Sequence, residues 1–348
     1  MPHQIELPAT SLIRVMDAFA HAFAAPLTLF GYFTPPDVIE LITQRWTANH
    51  ERRAIRFHRL CEVFVAAEEL VFDRDLNVYS PSITQHTLPD INRARAEVKA
   101  AQAGVCSTIS IPTLLCGKPG ISNYGHWLAE SLPIAFLSRQ QLYSREWGIL
   151  LTHIYPWMKA VIHNFLDLLG ILRECRVAGD GTVQHVKELV FVTGVSEHGF
   201  YYGSVAIDCA DELTGGIRGR DSIGLWISRA GERRRLRDEP TALTALQEFG
   251  WTIIEPGHLP FREQIAFAKG TTRMAGVQGA GLTNLLFMKP SSKLTSFVPA
   301  VMPDIFYATW RSIGASIIAK FVALMISRMS GTFLGMRNWP SALPIWWL

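Results

Sequence analysis

The chain has 348 residues, room for two domains at roughly 150 residues each. Apolar residues make up 49% and aromatic ones 11%, which supports well-filled cores, while a charged fraction of 18% is low for a fully solvated surface. A net charge of +3 without a concentrated basic stripe argues against nucleic acid as a partner.

The N-terminus carries Glu6 and Asp17, lacks a basic leader and does not read as a signal peptide. Five scattered cysteines (Cys61, Cys106, Cys116, Cys175, Cys209), with no C-x-x-C pair, argue against a disulfide framework or zinc cage and for a reducing, cytoplasmic compartment. Residues 1 to about 105 mix short apolar runs with polar turns, and Glu62–Phe72 reads as strands and hairpin arms. Ser107–Leu115 is β-branched and strand-like. A helix then starts near Tyr124 and bends or restarts at Pro133. Gly148–Tyr155 reads as a buried strand, Pro156–Leu169 as an amphipathic helix stopped by Gly170, and Glu188–Thr193 as a strand. This alternation predicts a parallel α/β layer.

The glycine-rich stretch Thr214–Asp221 marks the expected domain junction. Beyond it the spacing predicts strands at Gly224–Ser228, Trp251–Glu255, Arg273–Val277 and Lys293–Val298. Helices are expected at Glu239–Gly250, Pro260–Lys269 and Leu282–Met288, giving a Rossmann-like half. The expected domains are therefore 1–213 and 221–318, followed by an atypical tail, 319–348. Ile313–Ile326, interrupted by Lys320, is read as a buried or interfacial helix, because no apolar run reaches the roughly 18 residues of a spanning segment.

Three segments carry chemistry. In Gly276-Val-Gln-Gly-Ala-Gly-Leu-Thr-Asn284, Gly279, Ala280 and Gly281 follow a strand, where backbone N–H groups at a helix start suit an anion. Thr283 and Asn284 sit in the first turn, placed to cap the helix or to bond a phosphate. The same glycines also serve tight strand-to-helix packing. The basic loop Arg229–Arg237, with Arg233 and Arg234, lies at another strand's carboxyl end, where arginine forks suit phosphate and where a solvated charge run is the plain alternative. In Asn123-Tyr-Gly-His-Trp-Leu-Ala-Glu130, a helix puts His126 and Glu130 on one face, as a base with its orienting partner or as a stabilising pair. Two such ligands alone make a poor metal cage.

The ordered motifs NYGHWLAESLP, GLWISRAGERRRLRDE, FREQIAFAKG and GVQGAGLTNLLFMKP resemble glycosyltransferase family 61 over about Ile109 to Gly314. The resemblance implies an α/β, GT-B-like fold, two facing Rossmann-like domains with the active site in the interdomain cleft. It implies inverting transfer from a nucleotide sugar such as a UDP-sugar, with no tightly bound cofactor or metal, to a saccharide or glycoconjugate acceptor in surface polysaccharide assembly. Glu130 becomes the base, supported by His126. Arg229 with Arg233 or Arg234 meets the diphosphate, Glu263 and Gln264 match the helix pair, and Gln278 to Asn284 form the donor loop. Two positions depart from the family pattern: Gln278 stands where histidine is usual, and Ser296 where the next strand usually has an acid. They motivate the alternative of a binding relative without transfer. The apolar C-terminus leaves peripheral attachment at the inner face of a membrane open.

Overall fold

The computed structural model describes residues 3–16, 27–30, 40, 53–67, 69–104, 106–179, 181–198, 201–229, 239–289, 292–299, 306–307 and 318–326. Contacts divide the chain into two units, Met1–Phe19 with Arg52–Cys209, and Ala20–Glu51 with Ala210–Leu348.

The first unit is built on a mixed sheet. Its long strand Ile55–Val65 alternates sides with period 2, so that Val63 and Val65 pack with Leu115, Leu150 and Leu189. Phe64 points the other way, into a cluster with Phe72 and with Ile91, Ala94 and Val98 of the helix Leu88–Ala103. That helix starts at a reciprocal capping box between Thr87 and Asp90. Ile55–Val65 runs antiparallel to Gln184–Thr193 and turns back into Val71–Phe72, the hairpin expected around Glu62–Phe72. From Gln184–Thr193 onward the layer is parallel, through Thr113–Leu115, Gly148–Leu151 and Arg176–Ala178. The expected single strand over Ser107–Leu115 is two short strands, Ser107–Ile109 and Thr113–Leu115. Pro112 between them has no N–H to offer a ladder.

The second unit carries a parallel sheet in the order Thr252–Ile254, Leu225–Ile227, Arg273–Val277, Ser292–Pro299, Ile318–Ile326, Leu27–Phe30. The first four strands are those expected, with helices at Glu239–Glu248 and Phe261–Lys269. The last two correct the sequence reading. Ile318–Ile326 is a strand hydrogen-bonded on both sides, not a helix and not part of a separate tail. A short apolar run has the same composition as a buried parallel strand, so periodicity does not separate the two. Leu27–Phe30 adds to this sheet although it lies within the span expected for the N-terminal domain, because edge pairing of parallel strands is not local in sequence. The rest of the expected tail, 327–348, lies outside the described residues. No helix among the described residues is long and apolar enough to cross a membrane.

Trp226 is the centre of one face of this sheet, packed with Leu246, Trp251, Val277 and Phe297. Its indole N–H donates to the buried Glu239 carboxylate at 3.0 Å. Trp226→Phe keeps most of the apolar volume and leaves that acceptor short of a donor. The expected cost is about 1–3 kcal/mol in chemical denaturation, and an unchanged midpoint and slope would contradict this role for the indole.

Candidate active site

The site helix begins where the Asn123 side chain accepts the Gly125 N–H at 2.9 Å. One turn, Tyr124–His126, is followed by a π-helical turn, Trp127–Ser131, and by regular helix over Leu132–Ser138. Pro133 has no N–H, and the Leu132 N–H reaches back five residues to the Trp127 carbonyl. The bend expected at Pro133 is thus a widened turn just before it, a device often found at functional sites.

His126 Nδ1 lies 3.0 Å from Glu130 Oε1, as the spacing predicted. The structure adds two groups from far along the chain. A short antiparallel ladder, Ser196–Glu197 with Tyr201–Tyr202, follows the end of Gln184–Thr193. It brings His198 Nδ1 to 2.9 Å and the Tyr202 hydroxyl to 3.4 Å from the same oxygen. The two imidazoles stack with centroids 4.5 Å apart and planes 20° from parallel. Lys118 holds the ladder, donating to the Ser196 carbonyl and hydroxyl at 3.0 and 2.8 Å.

Glu130 is 2% exposed. Burial alone pushes its carboxyl up; hydrogen bonds from His126 and His198, with the charges of His126 and Lys118, outweigh burial and hold it down at about 2. An ionised carboxylate only accepts, so both Nδ1 atoms act as donors, which leaves Nε2 as the basic atom of each neutral ring. His126, Glu130 and His198 are also the one group of potential metal ligands among the described residues, with ligand atoms within 4.8 Å of one another. Tetrahedral zinc with bonds of about 2.1 Å would hold ligand atoms about 3.4 Å apart. The observed 2.9 and 3.0 Å are hydrogen-bond lengths.

A cavity of about 280 Å³ opens beside His198, within the first unit. Its walls include Arg53, Glu69, Lys118, Ser196 and Glu197. Several of these follow the carboxyl ends of Thr113–Leu115 and Gln184–Thr193, the usual ligand edge of a parallel layer.

The second unit presents the glycine loop. Arg229, just after Leu225–Ile227, donates from Nη1 to the Gln278 carbonyl at 3.3 Å. Gly279 is extended, at φ 171°, a conformation open to any residue. Space is the constraint, because an added Cβ would fall onto the Arg229 guanidinium. At Gly281 a Cβ would stand 2.9 Å from Ile227 Cγ2. The short helix expected over Leu282–Met288 is present as a 3₁₀ helix, Ala280–Phe287, which begins two residues earlier. Thr283 and Asn284 are fully buried and turn inward. Thr283 Oγ1 meets the Tyr307 hydroxyl at 3.2 Å, and Tyr307 donates to the Gly279 carbonyl at 2.5 Å. Asn284 donates to Gln264 at 3.1 Å, and Gln264 donates in turn to the carbonyls of Pro256 and Leu259. These side chains brace the loop from within. Glu263 is spent at the surface, 3.4 Å from Arg220. Gln278 is 3% exposed, and Ser296 is fully buried with no hydrogen-bond partner for its hydroxyl. Arg229, Ala280 and Gly281 remain the accessible part of the loop. Arg233 and Arg234 lie outside the described residues.

The glycosyltransferase 61 family model matches residues 124–295. The chain carries a glycosyltransferase family 61 domain. No curated protein matches the chain. The family 61 match begins at the site helix and ends inside Ser292–Pro299, so it takes in His126, Glu130 and His198 as well as Arg229 and the glycine loop. The match supports a transferase, with the donor and acceptor substrates that the family implies.

Sequence reasoning missed His198 and Tyr202 within the family 61 match, and Lys118 and Glu69 before it. One signal pointed toward His198: Ser-Glu-His follows closely on the carboxyl end of an expected strand. The Glu130 carboxyl sits below its unfolded value of 4.5, so its stabilising contribution is full above that pH and is lost as pH falls toward about 2. Glu130→Gln removes the contribution. The gap in urea unfolding free energy between wild type and variant should therefore narrow from about pH 4.5 to about pH 2, and a constant gap would contradict the assignment.

Proposed function

We propose that the chain is an inverting glycosyltransferase that moves a sugar from a nucleotide sugar, a UDP-sugar in the first instance, to a hydroxyl of a saccharide or glycoconjugate. The observation that carries this is the pair of imidazoles anchored on one buried carboxylate in a family 61 domain. Surface polysaccharide assembly at the cytoplasmic side of a membrane is the pathway that fits such an acceptor. A GT-B arrangement is part of the same reading, with the acceptor on the first unit and the donor on the second.

The proton-accepting role passes from Glu130 to an imidazole. A carboxyl held at about 2 is a weak base near neutral pH, and at 2% exposure it has little access to an acceptor. His198, whose ring borders the cavity, takes the acceptor proton on Nε2 while Glu130 holds its Nδ1–H and compensates the imidazolium that forms. The acceptor oxygen attacks the anomeric carbon in line, the bond to the diphosphate oxygen breaks, and its electron pair leaves with the nucleotide. One displacement inverts the configuration. The Arg229 guanidinium and the N–H groups at Ala280 and Gly281 stabilise the charge growing on the diphosphate.

A thermal-shift series against UDP, GDP and CMP, with and without chelator, is paired with transfer assays. UDP at about 100 times its dissociation constant should stabilise the wild type by roughly 2.7 kcal/mol. Gly279→Val, which displaces Arg229, should lose that response. His198→Ala should keep it and lower transfer by about 10²–10⁴-fold. Transfer that survives in His198→Ala removes the imidazole from the mechanism, and transfer lost to chelation and restored by zinc assigns the trio to a metal. Binding without any transfer in the wild type would support the non-catalytic relative, the reading motivated by Gln278 and Ser296 as departures from the family pattern.

A further inference from the structure

The cavity of the first unit has a property the transfer chemistry does not require: its charges are already matched within its own wall. Among the described residues it is lined by two cations, Arg53 and Lys118, and two carboxylates, Glu69 and Glu197, besides His198. Arg53 pairs with Glu197. Lys118 donates twice to Ser196, and burial pulls its ammonium down against the opposing pull of Glu130 and Glu197. Glu69 accepts the Thr152 hydroxyl. A nucleoside diphosphate or a carboxylate entering here would find no excess positive charge to repay its desolvation.

Glu69 is held with unusual care. It sits in the turn closing Ile55–Val65 onto Val71–Phe72, with its backbone in the left-handed region at φ 67°. That conformation belongs to the hairpin turn, in which the Glu69 N–H reaches the Ala66 carbonyl and the Ala66 N–H the Leu70 carbonyl. Gly117 clears space for the carboxylate, since a Cβ there would stand 2.9 Å from Glu69 Cγ and overlap the Thr152 hydroxyl. A buried carboxylate is thereby fixed in the wall of a cavity whose remaining surface includes Leu115, Ile134 and Phe191.

We infer that this cavity is the subsite for the terminal sugar of the acceptor, that it takes an uncharged ring, and that Glu69 is a specificity-determining residue accepting hydroxyls of that ring. A pyranose presents two chemistries the wall matches: C–H faces for the apolar side chains, and hydroxyl donors for a fixed carboxylate. At about 280 Å³ the cavity falls at the small end of ligand sites, a size that suits one ring. His198 borders it while its Nδ1 is engaged by Glu130, so a ring seated here lies against the proposed base. The inference rests on the transferase reading only in naming the ring as the acceptor's.

Saturation-transfer NMR on the full chain, without donor, tests it with neutral methyl hexosides and pentosides, the corresponding methyl hexosiduronates, and UDP as probes. Thr84 is exposed at the cavity rim, so Thr84→Trp plugs the mouth without entering the core. The wild type should give a saturable response with at least one neutral glycoside and a weaker one with its uronate. Glu69→Gln and Thr84→Trp should each weaken the glycoside at least tenfold and leave the UDP response unchanged. Glycoside binding that is indifferent to Thr84→Trp, or uronates that outbind neutral rings, would overturn the assignment. So would loss of UDP binding in a variant with unaltered melting, which would make the cavity part of the donor site. Glycoside binding that follows this pattern in a chain without transfer activity would retain the subsite and sink the transferase reading alone.

Discussion

The Glu130 carboxylate is the constraint on which the first unit's site depends. A charge at 2% exposure is costly unless it is hydrogen-bonded, and this one draws donors from two places far apart in sequence. His126 comes from the turn before it, His198 and Tyr202 from a ladder about 70 residues later. Much of the local structure serves that convergence. The π turn before Pro133 carries Glu130, Lys118 fastens the ladder, and Gly120, at φ 86°, turns tightly against the His126 ring. The outcome is a pair of imidazoles with fixed tautomers, which one histidine beside an exposed acid would not provide.

The second unit solves a different problem with the same economy. Its loop keeps a guanidinium close to the backbone by leaving out a side chain at 279, and it keeps its own shape through Tyr307, Gln264 and Asn284. Rigidity of this kind is useful where charge develops during a reaction, because groups already in place need not reorganise.

What was legible in the sequence was what is local. The His126/Glu130 spacing, the strands flanking the glycine loop and the helix Pro156–Leu168 follow from period, caps and breakers. His198 was not, because no spacing rule connects it to Glu130; only the closing of a sheet does. The inward turn of Thr283 and Asn284 was hidden for a similar reason, since capping a ligand and bracing a loop ask for the same side chains. Ile318–Ile326 was misread because its apolar composition serves a helix and a doubly flanked strand equally. The resemblance to family 61 succeeded because several motifs in fixed order carry information that no single one of them does.

The central claim, that Glu130 fixes two histidines as Nδ1–H donors with basic Nε2 atoms, is open to direct observation. Long-range ¹H–¹⁵N spectra of the histidine-labelled chain, recorded as a pH series, distinguish the two tautomers ring by ring. The account predicts that His126 and His198 both carry the proton on Nδ1 in the wild type and that at least one of them loses this preference in Glu130→Gln. Protons on Nε2 in both rings of the wild type would contradict it, and with it the proposed base.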